Sequence, residues 1–131
     1  MTRFVISPDV ALRLAEQEAA VGGAHELLAP TLIRSQLLNG LFQAVRRGDL
    51  TTEDAARRLD FVRGLKLRLL GDRVLQRVAW RLAEQLGWED TYDAEYVALT
   101  TLQADAFVTL DEGLADAVRD LVEIATVDDL R

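Results

Sequence analysis

The sequence predicts an α/β domain, a three-layer α/β/α sandwich around a mainly parallel sheet of four or five strands. Two observations carry that expectation. Short β-branched or aromatic runs alternate with longer stretches whose apolar residues repeat at helical spacing, and strands joined through helices pair in parallel with helices on both faces. The chain also has 131 residues, half of them hydrophobic and only two of them proline. That is the length of one domain, 1–131, able to bury about two-thirds of the surface its unfolded chain exposes.

The elements follow in order. "RFVIS" is short, β-branched and aromatic, hence a buried strand. "SPD" starts a helix with Ser7 as N-cap, Pro8 at the first helical position and Asp9 in the first turn. That helix fades before "VGG", and "HELLAP" forms a second brief strand. From Thr31 to Arg47, Ile33, Leu37, Leu38, Leu41, Phe42 and Val45 make an apolar stripe, ended by the glycine of "RRGDL". A further helix starts at "TTEDAARRLDFVRGL", with Thr51 and Asp54 in capping-box positions and Ala55, Leu59 and Val62 as its buried face. "KLRLL" alternates as a strand does. Beyond Gly71, Leu75, Val78, Ala79, Leu82 and Leu86 repeat at helical spacing up to Gly87. The helix of "TYDAEYVALTTLQ", the strand "AFVTL", a short helix after Glu112 and a last strand near "LVEIATV" complete the chain.

Composition narrows the chemistry. No cysteine is present, which excludes disulfides, thiolate metal sites and a cysteine nucleophile. "MTRFVISPDVALRL" has too short an apolar run for a signal peptide or membrane span, so no membrane is expected and the cytoplasm is the default location. The net charge of −7 is uneven: ten basic residues against five acids between Arg46 and Arg81 give +5 there and leave −12 elsewhere. That basic middle faces a phosphate backbone, an acidic partner or simply water. Within it Arg73, Arg77 and Arg81 make one stripe on a helix face, able to hold RNA phosphates, a partner's acidic residues or the chain's own surface acids. Trp80 and Trp88 flank the end of that helix, where aromatics either stack bases or are buried. His25, the only histidine, reads as a loop or strand-edge residue with no nucleophile beside it.

In a parallel α/β sheet, ligands bind in the crevice beyond the carboxyl ends of the strands. Ser7 and Asp111 follow two strands, and Asp93 begins a helix able to line the same crevice. Carboxylates gathered there without His or Cys suit a hard cation such as magnesium or manganese. Each acid alone has a structural reading too: Asp9 and Asp93 favour helix dipoles from first turns, and Asp111 fits an N-cap.

Over essentially its whole length the chain resembles the PIN-domain family, and within it the VapC-type toxins of toxin–antitoxin pairs. The resemblance is strongest in "YDAEYVALTTLQADAFVTLDEGLA", similar to that family's Tyr-Asp-Ala helix start, apolar helix and Thr-x-Asp strand exit. "LLAPTLIRSQLLNGLFQAVRRGDLTTEDA" matches the second helical block, and "FVISPDVALRL" falls where the first strand and its acid belong. The resemblance implies a PIN-like fold and a metal-dependent endoribonuclease with four acids around one or two ions. It also implies an antitoxin partner and a homodimer. Asp93 and Asp111 carry over, but Ser7 stands where the first-strand acid is expected and Gln36 where the helix Glu is, with Asn39 on the same face. A quartet of charge near −4 thereby falls to −2, which weakens magnesium or manganese binding, unless Asp9 swings inward to restore one charge.

Two functions follow from the resemblance. One is a VapC-like protein with an incomplete site, weakly active or non-catalytic, that binds RNA or antitoxin. The other is an active Mg- or Mn-dependent endoribonuclease using Asp9, Asp93 and Asp111. An unrelated α/β domain whose acids are all caps is the third alternative.

Overall fold

The computed structural model describes residues 1–131. Five strands, β1 (Thr2–Ile6), β2 (His25–Pro30), β3 (Arg68–Leu70), β4 (Ala106–Val108) and β5 (Ile124–Ala125), lie in the order β3-β2-β1-β4-β5. Every pairing is parallel. Parallel strands need crossover connections, and six helices supply them: α1 (Pro8–Gln17), α2 (Ile33–Arg46), α3 (Thr52–Arg63), α4 (Arg73–Leu86), α5 (Tyr92–Gln103) and α6 (Glu112–Val118).

The strand order explains the layers. From β1 the chain steps outward to β2 and β3, then returns past β1 to β4 and β5. Right-handed crossovers moving in opposite directions place their helices on opposite faces. Thus α1 packs with α2 and α3, whereas α5 packs against α4 and across β1, β2 and β4. Sandwiched between layers, the central strands read as continuous apolar runs: Val5, Ile6, Leu28, Ala29, Phe107 and Val108 are fully buried. β1 and β4 are neighbours, in register from Phe4–Ala106 to Ile6–Val108.

Local signals set the helix ends. The expected capping box of α3 forms, with Asp54 N–H donating to Thr51 Oγ1 at 3.1 Å and Thr51 N–H to Asp54 Oδ2 at 3.4 Å. Thr51→Ala is therefore expected to cost about 1 kcal/mol in urea denaturation, the usual worth of such a cap. Gly87 stops α4 at φ +70°, a left-handed conformation that a side chain would strain.

Several expectations need correction. The strand of "KLRLL" is only Arg68–Leu70, because Lys66 turns the chain at φ 56°. The apolar stripe of α2 splits: Ile33, Leu37 and Leu41 are buried, but Leu38 and Phe42 lie 59% and 62% exposed. Those two sit about 100° further round the helix than the buried row, beyond the cover that α1 and α3 provide. On α3 only Val62 is buried, with Ala55 and Leu59 partly covered. The last strand shrinks to Ile124–Ala125 before a 3-10 turn, Val127–Leu130, whose Leu130 plugs the core.

Candidate functional site

The sheet reverses its strand order between β1 and β4, and the crevice of a parallel sheet opens at such a reversal, beyond the carboxyl ends. Ser7 continues β1 there, its N–H donating to Val108 O of β4 at 3.1 Å. Ser7 occupies the N-cap position of α1 but caps nothing with its side chain. Its buried hydroxyl donates instead to Asp9 Oδ1, which also accepts the Val10 N–H at 2.8 Å. These bonds turn the half-buried Asp9 carboxylate back toward the exit of β1.

β4 delivers the second acid. Past Val108, Thr109 Oγ1 accepts the Asp111 N–H at 3.1 Å, and Asp111 Oδ1 accepts the Leu114 N–H at 3.0 Å. The structural reading of Asp111 as an N-cap is thus realised, with its second carboxylate oxygen left over.

Asp93 enters from the first turn of α5. No hydrogen bond from the protein reaches its carboxylate, and none of the seven ion pairs includes it. Partial burial, then the negative charges of Asp111, Asp90 and Asp9, hold its pKa above the ordinary carboxylate range, and no basic side chain offsets them. The structure therefore brings Asp9, Asp93 and Asp111 within electrostatic reach of one another. It does not close them up: no three His, Asp or Glu side chains stand near enough to cage an ion.

Gln36 joins the group from the other helical layer. Its Oε1 accepts the hydroxyl of Tyr96 at 2.6 Å, a bond spanning 60 residues of chain. Tyr96 is one α-helical turn past Asp93 and is itself buried against Phe107, with ring centroids 6.3 Å apart. Burial, then the charges of Glu95, Asp93 and Asp9, raise the phenol's pKa far above its usual value, so it remains a donor. Sequence reading missed Tyr96 and Asp90. Each lies three residues from Asp93, on its face of the helix or just before it, and that spacing was the available signal. Asn39, by contrast, is exposed.

The remaining candidates lie elsewhere. Arg73, Arg77 and Arg81 are exposed on α4, and none enters an ion pair. Trp88 packs against the core, while Trp80 is 63% exposed. His25 opens β2, its ring edge-on to Phe4 at 5.1 Å and its buried Nδ1 without a partner.

With this geometry in view, one relative is decisive. Ribonuclease VapC3 of Pyrobaculum aerophilum is 32% identical over 114 residues, covering 84% of this chain and 85% of that protein. The chain belongs to the VapC-like PIN family. No family model matches it. Two solved structures share the fold of this VapC-like chain. The crystal structure of PAE2754 from Pyrobaculum aerophilum matches at TM-score 0.73 and 21% identity, over 98% of this chain and 93% of that one. VapBC2 from Rickettsia felis, bound to a DNA fragment from their promoter, matches at TM-score 0.65 and 11% identity, over 95% and 98%. No helix of this VapC-like chain is long and apolar enough to cross a membrane.

The cluster makes a stability prediction. A raised carboxylate pKa in the folded state means that folding favours the protonated form. The contribution is present below the unfolded-state pKa and is lost as pH rises through the higher folded-state value. At neutral pH the Asp93 charge is therefore destabilising. Asp93 is exposed, so water screens its field and the effect is small: Asp93→Asn is expected to raise Tm at pH 7 by about 1 °C or less. The gain should shrink when the melt is repeated near pH 4, and an unchanged or lower Tm at pH 7 would refute the electrostatic account.

Proposed function

We propose that the chain is the RNA-directed member of a toxin–antitoxin pair whose metal centre is incomplete, so that it binds magnesium or manganese weakly and cleaves RNA little or not at all. One observation carries this reading. The two neutral side chains that stand at the family's acid positions are bound into the protein, Ser7 to Asp9 and Gln36 to Tyr96. The anionic set reduces to Asp9, Asp93 and Asp111.

A hard cation suits what remains. Asp93 is a crowded carboxylate without any compensating donor, and oxygen ligands match magnesium and manganese. Asp93, Asp111 and Asp9 would hold the ion, which would keep most of its waters because the three do not converge as a tight ligand set. In this family's chemistry a bound ion stabilises charge on the oxygens of the scissile phosphodiester. This chain contributes the acids that attract the ion, and a Tyr96 hydroxyl that fixes the side chain at position 36.

The antitoxin side of the proposal rests on the VapBC2 fold match and on apolar surface. Leu38 and Phe42, exposed along α2, are what a partner or a second protomer of a homodimer would cover. The second reading, an active endoribonuclease using Asp9, Asp93 and Asp111, draws its support from Asp9 lying within the field of Asp93.

Thermal melts in manganese test the site without relying on activity. Native protein is expected to gain a small Tm increase at millimolar manganese that chelator reverses, as binding to the folded state alone requires. Asp93→Asn should abolish that increase. A native protein indifferent to manganese, or an Asp93→Asn variant still stabilised by it, would remove the acids from any metal role.

A further inference from the structure

The stripe on α4 is the strongest feature that the acidic site does not absorb. Arg73, Arg77 and Arg81 recur every fourth residue, each exposed and each free of an acidic partner, although the chain as a whole carries −7. At 100° per residue they share about a third of the helix circumference with Trp80 and Val74, which are 63% and 50% exposed. Glu84, beyond the last arginine, is the single acid in that arc. The opposite face, Leu75, Ala79, Leu82 and Ala83, is buried, so packing fixes which way the arginines point.

An isolated tryptophan on a water-facing helix surface leaves a large apolar ring uncovered. Flanked by three unpaired guanidinium groups, it makes a surface matched to a ligand that is both polyanionic and aromatic. We infer that the outer face of α4 is a binding track for single-stranded RNA, with Arg73, Arg77 and Arg81 on successive phosphates and Trp80 stacking a base. The proposal rests on the reading of the chain as RNA-directed. Successive arginines lie about 6 Å apart along the helix axis, roughly the interval between phosphates of an extended strand. An acidic protein partner would satisfy the arginines but offers no regular reason for the exposed indole between them. Arg73 follows the carboxyl end of β3 by three residues, and α4 packs along α5, whose first turn carries Asp93.

The test is fluorescence anisotropy with a labelled single-stranded RNA of about 12 nucleotides, a length within the range such surfaces occupy. It is run in EDTA across a salt series, so that neither metal binding nor cleavage contributes. The native chain is expected to bind, with affinity falling steeply as salt rises. The triple variant Arg73→Gln/Arg77→Gln/Arg81→Gln should bind at least tenfold more weakly at low salt. Its log–log salt slope should be shallower by about 2, since each phosphate contact on a single strand contributes about 0.7. Trp80→Leu should weaken binding about fivefold or more while leaving the salt slope unchanged, which a merely electrostatic patch would not show. All four side chains are exposed, and the fold of each variant is checked by Tm and circular dichroism before its binding is read. Absence of binding by the native chain, or equal affinities and slopes for native and triple variant, overturns the proposal. So does a triple variant that loses affinity for poly-glutamate but keeps it for RNA, which would assign the stripe to an acidic protein. RNA cleavage by the native chain in magnesium would contradict the incomplete-centre reading and leave this result untouched.

Discussion

Ser7→Asp combined with Gln36→Glu is expected to raise manganese affinity by roughly tenfold or more, and to produce metal-dependent cleavage of single-stranded RNA where the native chain shows little. Each substitution adds an anionic ligand to a site whose acids already repel one another. Position 36 is prepared for the change. Tyr96 already donates to Gln36 Oε1 at 2.6 Å, and a Glu carboxylate there would accept the same hydroxyl more strongly, because its charge assists the bond. Position 7 is tighter: Ser7 is buried and bonded to Asp9, so an Asp must push the Asp9 side chain outward. Without metal, the added charges should lower Tm, and manganese should recover the loss. Manganese is expected to outperform magnesium because it binds a given set of ligands more readily. Calorimetric titration reads the affinity and gel analysis of labelled RNA reads the cleavage. A double variant that binds no more manganese than the native chain would show that charge is not what the site lacks.

Phe107→Ala is the stability prediction of largest effect. Phe107 is fully buried in β4, between β1 and β5, and truncating such a ring costs about 3–5 kcal/mol in lost burial and residual cavity. That is a large share of the roughly 5–15 kcal/mol that holds a domain together. The same ring supports Tyr96, so the damage reaches the site through the Tyr96–Gln36 bond. Tyr96→Phe separates the two effects. It keeps the packing, removes one hydrogen bond worth about 1 kcal/mol, and frees the Gln36 side chain. Urea denaturation of the two variants should differ by several-fold in lost stability; similar losses would mean that Phe107 is not the support described.

What the sequence made legible was local. The box at Thr51 and Asp54 and the stop at Gly87 follow from residues close together, and the parallel sheet covered by helices follows from strand–helix alternation. The acids at Asp93 and Asp111 were legible because Tyr-Asp-Ala and Thr-x-Asp are short motifs at element boundaries. The rest depended on partners far along the chain. Tyr96 meets Gln36 across 60 residues, and nothing in either segment specifies the other. Periodicity misread α2 for a related reason. It locates the middle of an apolar face but not its buried width, which the neighbouring helices decide, and Leu38 and Phe42 stayed outside that cover. Asp9 was an open question in sequence because one turn of helix can point a carboxylate either way. The bond from Ser7 turns it toward the crevice.

The central claim is that neutral side chains at positions 7 and 36 leave this VapC-like fold short of the charge that its chemistry requires. Incubating the purified native chain with labelled single-stranded RNA in magnesium, beside chelator and Asp93→Asn controls, tests it most directly. Little or no cleavage, indistinguishable among the three reactions, is the result expected. Cleavage by the native chain that disappears with chelator and in Asp93→Asn would contradict it, and would assign the reaction to Asp9, Asp93 and Asp111 as they stand.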